Sequence, residues 1–244
     1  MKFLILLSVL SFKVSAETKL LLIGGGKRPL EAMQKFSQLA GGEKAYIIVV
    51  PWASETTEGA DNIRNELLIH ANSTVVIAPL KSQSLNSMLD KATGIFFAGG
   101  DQNKLMKLIN EQSLKNVFKQ KFEEGVVFAG TSAGTAIMSE RMLTGEGELT
   151  VLDGTRIIRA EGLGLLPQSV IVDQHFIVRS RFNRLAGAVL SSQETGLAID
   201  ESTSLLILNS KAKVIGPTQV MTFLPKSPKR LVIDVYSNGE EFDL

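Results

Sequence analysis

The sequence predicts an α/β fold: a mostly parallel sheet with helices on both faces and further strands added toward the C-terminus. Three observations carry this expectation. Between residues 18 and 139, five short runs rich in β-branched and aromatic residues alternate with amphipathic segments. The runs are apolar throughout instead of alternating, as strands buried on both faces should be. Several end abruptly in glycine, where a strand must turn into a helix.

The elements follow in order. The chain opens with MKFLILLSVLSFKVSAETK, a lysine, an apolar run over residues 3–12 and then Val14-Ser15-Ala16. This is the basic, apolar, small-residue pattern of a signal peptide, and the run is too short to span a bilayer. Cleavage is expected after Ala16, leaving residues 17–244 as a single domain, secreted or periplasmic, with no membrane span. TKLLLIGGGKRP reads as a strand, a glycine turn and a helix with Pro29 near its start. AYIIVVPW precedes a helix over Glu58 to His70, STVVIAPL a segment over Ser84 to Lys91, TGIFFAGG the helical DQNKLMKLIN, and GVVFAG the helical SAGTAIMSE. After residue 140 the rhythm changes. TGEGELTVLDGTR reads as loop or hairpin and SVIVDQ as a strand. IVRSRFNRLAGAVLSS reads as one helix, with Ile177, Phe182, Leu185, Val189 and Leu190 roughly on one side. TGLAIDES and TSLLILNSKAKVIG read as strands joined by turns, and QVMTFL and RLVIDVYS as edge strands.

Composition removes several function classes. With 26 basic and 25 acidic residues, no net charge points to nucleic acid as a partner. There is no cysteine, so disulfides, thiol catalysis and thiolate metal sites are excluded, and two histidines are too few for a histidine-rich metal site. No metal or organic cofactor is expected.

In an open α/β sheet, ligands bind beyond the carboxyl ends of the strands. There, Gly130-Thr131-Ser132-Ala133-Gly134 forms a G-x-S-x-G turn between a strand and a helix, the setting that exposes a nucleophilic serine. The N–H of Ala133, just after the serine, is placed to stabilise an oxyanion. Gly100, in FFAGGDQ, is a candidate second donor, while Asp101 is suited to cap the helix that follows. A nucleophilic serine needs a base. His70 ends a helical pattern, where a histidine is favoured for dipole reasons alone. His175 follows a strand, so it is the imidazole expected to partner Ser132, with a Ser–Lys pair as the rival. The orienting acid is open between Asp200 and Glu201, which both end the strand in GLAIDEST; Asp173 fits only if its own strand bends. Arg181 and Arg184 can share a helix face, and with Arg179 they form a set suited to reading carboxylates. Gly24-Gly25-Gly26 lacks the spacing of either nucleotide-binding glycine motif.

Four motifs in this order, AGGDQ, GTSAG, DQHF followed by RSRFNRL, and GLAIDEST, resemble the cyanophycinases, serine peptidases related to the aspartyl dipeptidases. The resemblance spans residues 20–208. It implies a flavodoxin-like fold similar to class I glutamine amidotransferases. It also implies Ser132 as nucleophile, His175 as base and Glu201 as orienting acid. A pocket lined by Gly99, Gly100, Asp101, Gln102, Asp173, Gln174, Arg179, Arg181 and Arg184 is implied as well, with Asp173 as a partner for a substrate guanidinium. The implied reaction is hydrolysis of the β-aspartyl-arginine isopeptide linkages of cyanophycin, an aspartate backbone with arginine branches, to β-Asp-Arg through an acyl-enzyme. A homodimer is implied too. The alternatives are an exopeptidase for short α-aspartyl or isoaspartyl peptides and a catalytically silent binding protein.

Overall fold

The apolar runs become strands because their β-branched residues suit an extended chain that can be buried on both faces. The computed structural model describes residues 17–70, 73–80, 84–147 and 150–244; the expected signal segment, residues 1–16, lies outside them. The five runs form β1 (Lys19–Ile23), β2 (Tyr46–Val50), β3 (Thr74–Ile77), β4 (Gly94–Phe97) and β5 (Val127–Thr131). Between them lie α1 (Leu30–Leu39), α2 (Glu58–His70), α3 (Ser84–Lys91), α4 (Gln102–Glu111) and α5 (Lys115–Glu123). The segment forming α5 is polar apart from a few positions, and its buried residues are Phe118 and Phe122. Both rings meet Phe128 edge-on, at centroid distances of 6.3 and 5.6 Å.

In space the five strands run β1-β5-β4-β2-β3, all parallel. The last strand therefore lies beside the first, and their carboxyl ends meet. Successive side chains point to opposite faces. Leu20, Leu22, Ile48, Val50, Ile95, Phe97 and Phe128 fill the core on one side. Leu21, Ile23, Ile47, Val49, Phe96 and Ala129 fill the other. The sheet continues beyond β1 with β10 (Ser204–Leu208), β11 (Lys211–Ile215) and β14 (Glu241–Asp243), each antiparallel to its neighbour.

The chain after β5 passes through the short α6 (Ala133–Ala136) and a two-stranded hairpin, β6 (Arg141–Gly147) with β7 (Ile157–Glu161). A second sheet follows, in the order β13-β12-β9-β8, from β8 (Val170–Gln174), β9 (Thr195–Ile199), β12 (Val220–Ser227) and β13 (Arg230–Tyr236). Two expectations change here. The 220–227 strand is not an edge: it pairs with β9 on one side and β13 on the other. The helix expected from residue 177 begins five residues later, as α7 (Phe182–Ser192). His175 and Ser180 both have positive φ, 50° and 52°, which interrupts helical geometry before Phe182. Leu185 and Val189 pack into the second sheet's core with Phe223 and Ile171, while Ile177 is exposed. No helix of the described residues is long and apolar enough to cross a membrane.

Candidate active site

Ser132 stands between β5 and α6 at φ 53° and ψ −114°. A non-glycine residue held there costs on the order of 1–3 kcal/mol, so the surroundings must impose it. The flanking glycines permit it. A Cβ on Gly130 would fall 2.2 Å from the Gly134 carbonyl oxygen, and one on Gly134 would fall 2.2 Å from that of Phe97. The Ser132 N–H donates to the Ile23 carbonyl at 3.1 Å, tying the turn to the end of β1. Thr135, which the motif reading left aside, strengthens that tie. Its buried hydroxyl accepts the Ile23 N–H at 3.1 Å and lies 2.7 Å from the carbonyls of both Ile23 and Gly130.

His175 leaves β8 with its N–H on the Gly24 carbonyl at 2.7 Å. Its Nε2 lies 2.8 Å from Ser132 Oγ, and its Nδ1 lies 2.5 Å from Glu201 Oε1. The two neighbouring acids part in space. Glu201 reaches the ring, whereas Asp200 Oδ1 accepts the N–H groups of Ile177 at 3.0 Å and Val178 at 3.3 Å. The Gly24-Gly25-Gly26 turn is the bed on which the ring and the acid lie. A Cβ on Gly25 would fall 2.1 Å from His175 Cε1, and one on Gly26 would fall 2.9 Å from Glu201 Oε2. Only side-chain-free backbone fits there, and a glycine triplet with no phosphate-loop spacing was the available signal.

Ser132 opens into a cavity of about 360 Å³ lined by Gly100, Asp101, Gln102, Gln174, Arg179 and Arg181. A larger groove of about 900 Å³ runs past Lys27, Ser202 and Thr218, but the serine does not line it. The Asp101 carboxylate caps α4, accepting the N–H groups of Asn103 at 2.8 Å and Lys104 at 3.3 Å. Gln102 is buried and donates to the Leu143 carbonyl at 3.2 Å. Gly99 lies beneath the serine, where a Cβ would sit 3.3 Å from Ser132 Cβ. Gly100 adopts φ 140°, and a Cβ there would meet the Ala53 carbonyl oxygen at 2.2 Å. Among the described residues, no backbone carbonyl takes the N–H of Gly100 or Ala133.

The arginines divide into two groups. Arg179 is exposed at the cavity wall. Arg181 lines the cavity with its Nη1 on the Gln174 carbonyl at 2.6 Å, Gln174 Oε1 at 2.7 Å and Asp173 Oδ1 at 3.3 Å. Arg184 does not line it. It is 2 % exposed, grips both oxygens of Asp173 and donates to the Thr144 carbonyl at 3.0 Å. Asp173 is therefore below the cavity, engaged by two guanidiniums, and is not placed to meet a ligand's guanidinium. Burial brings the Arg181 guanidinium down to about 10, opposed by Asp173 and assisted by repulsion from Arg184 and Arg179; it stays charged at neutral pH. Two cations share one carboxylate here, so the floor of the cavity carries excess positive charge. Among the described residues, no group of three His, Asp or Glu side chains is placed to hold a metal ion.

Residues 20–215 match peptidase family S51. The chain belongs to this family. As an S51 member it is a hydrolase with serine-peptidase character. It is 33% identical over 201 residues to the cyanophycinase of Trichormus variabilis, covering 78% of this chain and 67% of that one. With the cyanophycinase of Geminocystis herdmanii it shares 32% identity over 212 residues, 82% of this chain and 78% of that one. Among solved structures it matches a peptidase from an acI-B1 Actinobacterium with a TM-score of 0.66 at 19% identity, over 93% of this chain and 97% of that one. A putative peptidase E protein from Listeria monocytogenes matches with a TM-score of 0.58 at 16% identity, over 91% and 100%. The fold is thus the flavodoxin-like arrangement of the S51 peptidases.

The site's electrostatics give one testable pH dependence for this S51 peptidase. Burial holds the His175 imidazole below its ordinary value of 6.5; the Glu201 hydrogen bond opposes this, and the Arg179 and Arg181 charges add to it. The neutral ring is the form that takes a proton from serine. The acid limb of kcat/KM should therefore have its midpoint below 6.5, with activity rising through it as pH rises. Glu201→Gln removes a contribution that favours the charged ring, so the midpoint should move further toward acid. A steady-state pH profile of both proteins checks this, and a wild-type midpoint above 6.5 contradicts it.

Proposed function

We propose that this S51 peptidase hydrolyses cyanophycin through an acyl-enzyme on Ser132. The observation that carries the reading is Ser132, His175 and Glu201 in hydrogen-bonded line, at 2.8 and 2.5 Å, with the serine facing a cavity that Arg179 and Arg181 make cationic. The cyanophycinases among its relatives supply the substrate class.

In this reading the substrate's carboxylates approach Arg179 and Arg181, and a backbone aspartyl carbonyl lies over Ser132. As Oγ attacks, His175 Nε2 takes its proton, and Glu201 holds the ring with Nδ1–H turned toward it. The N–H groups of Gly100 and Ala133 receive the oxyanion. His175 then gives the proton to the leaving amine as the C–N bond breaks. Water, deprotonated by the same ring, attacks the ester and releases the acid and free Ser132.

The isopeptide linkage expected from the sequence is not the bond whose cleavage gives β-Asp-Arg. Release of intact β-Asp-Arg keeps the isopeptide bond between aspartate and arginine and breaks the backbone amide between successive aspartates. A β-Asp-Arg product therefore assigns the scissile bond to the backbone. Hydrolysis of the isopeptide bond would release free arginine instead. The segment over residues 1–16 supports an exported form that meets the polymer outside the cytoplasm. The test is digestion of purified insoluble cyanophycin with mass analysis of the soluble fraction. β-Asp-Arg is the expected product, and turnover confined to short aspartyl peptides would replace this reading with the exopeptidase alternative.

A further inference from the structure

His175 holds a left-handed backbone, φ 50°, a conformation uncommon for any residue that carries a side chain. A residue there stays put only when its neighbours over-determine it. The backbone contacts around it do so from several directions. Its N–H is on the Gly24 carbonyl at 2.7 Å, and its carbonyl accepts from the Arg179 N–H at 3.0 Å. Ahead of it, the Gln174 carbonyl accepts from Arg181. Behind it, the turn at residues 176–180 points the N–H groups of Ile177 and Val178 at a single carboxylate oxygen, Asp200 Oδ1, at 3.0 and 3.3 Å. Asp200 is 5% exposed, so water is a poor substitute for that acceptor.

We infer that Asp200 is a positioning residue for the base of this reaction, fixing the backbone turn that aims the His175 imidazole at Ser132. The inference rests on the Ser132–His175–Glu201 reading. Asp200 follows the last residue of β9, and Glu201 comes next, where the chain turns. One carboxylate holds the turn that follows the histidine while the next holds its ring. The two acids stand on one strand end, so the base and its orienting acid are registered by the same short piece of chain. The Ser202 N–H, on the Gly25 carbonyl at 2.9 Å, ties that piece to the glycine bed beneath the imidazole.

The required property of Asp200 is an acceptor at the right reach, and the charge is secondary. Asparagine keeps the reach without the charge, glutamate keeps the charge and lengthens the reach, and alanine removes both. The test compares these three variants of the full chain, and Ser132→Ala, in fluorophosphonate labelling and in cyanophycin hydrolysis. Asp200→Ala should lower kcat and the labelling rate by about 10- to 100-fold, the scale on which a small misplacement of a catalytic group acts. KM should change less than kcat, because Arg179 is the one lining residue on that turn, while Arg181 is held separately by Gln174 and Asp173. Asp200→Asn should recover to within about fivefold of wild type, since a neutral acceptor bonds roughly half as strongly. Asp200→Glu should remain impaired. Wild-type labelling in Asp200→Ala, or Asp200→Glu equal to or better than Asp200→Asn, overturns the inference. If Asp200→Ala does not fold, the order of the asparagine and glutamate variants decides. Failure of the underlying reading looks different: Ser132→Ala would keep its hydrolysis.

Discussion

Ser132→Ala is expected to lower kcat for peptide or polymer hydrolysis by about 10⁶-fold, the loss seen when a serine nucleophile is removed from such an arrangement. The residual rate should come from the oxyanion donors and substrate binding alone. His175→Ala should cost nearly as much, and the double variant little more than either, because in the proposed mechanism the two residues, 2.8 Å apart, act as a unit. The substitution should leave the fold intact. The turn is imposed by Gly130, Gly134 and Thr135 together with the Ser132 N–H on Ile23, none of which uses the serine hydroxyl. Unchanged thermal unfolding with lost turnover is therefore the expected pair of results. Retained turnover would remove the acyl-enzyme from the mechanism. Neither result depends on which bond of the substrate is cleaved.

Much of this site was legible before the structure, because its chemistry is concentrated in strand-end turns. An apolar run presents the residues that follow it at the carboxyl edge of its sheet. That rule located Gly100, Ser132, Ala133, His175 and the Asp200–Glu201 pair. Strand order was not legible, since pairing partners are set by long-range packing. The docking of the end of β8 on the turn after β1, with the His175 N–H on the Gly24 carbonyl and its ring over Gly25, therefore had no local signature. The glycine triplet was read against phosphate loops because its role, room for a ring and a carboxylate from distant segments, appears only once those segments converge. Residues 177–181 read as helix because Ile177 extends the apolar side formed by Phe182, Leu185 and Val189. The positive φ at His175 and Ser180 prevails over local propensity there. The arginine series was read as one surface, but its spacing sends Arg179 to the cavity wall and Arg184 beneath it.

That division makes Asp173→Ala the variant with the largest expected effect on stability. Asp173 is 1% exposed, Arg184 2% and Arg181 7%. Removing the carboxylate leaves two neighbouring buried guanidiniums with no counter-charge between them. Breaking a buried ion pair from one side costs about 3–5 kcal/mol, mostly as the penalty of the stranded partner. At about 2–4 °C per kcal/mol for a chain of this size, Tm should fall by roughly 6–20 °C. Asp173→Asn should lie between, because an amide oxygen still accepts from Arg184 while the charge is lost. Thermal melts of the three proteins at neutral pH check the order. A change in Tm of less than about 1 kcal/mol equivalent for Asp173→Ala would mean that solvent or another acceptor satisfies both guanidiniums. Activity should fall along with stability, since Arg181 uses Asp173 to hold its Nη1 against the Gln174 carbonyl, one residue before the base. The buried carboxylate thus carries two functions through one contact: it neutralises part of the charge that makes the cavity cationic, and it fixes the cation that remains at the wall.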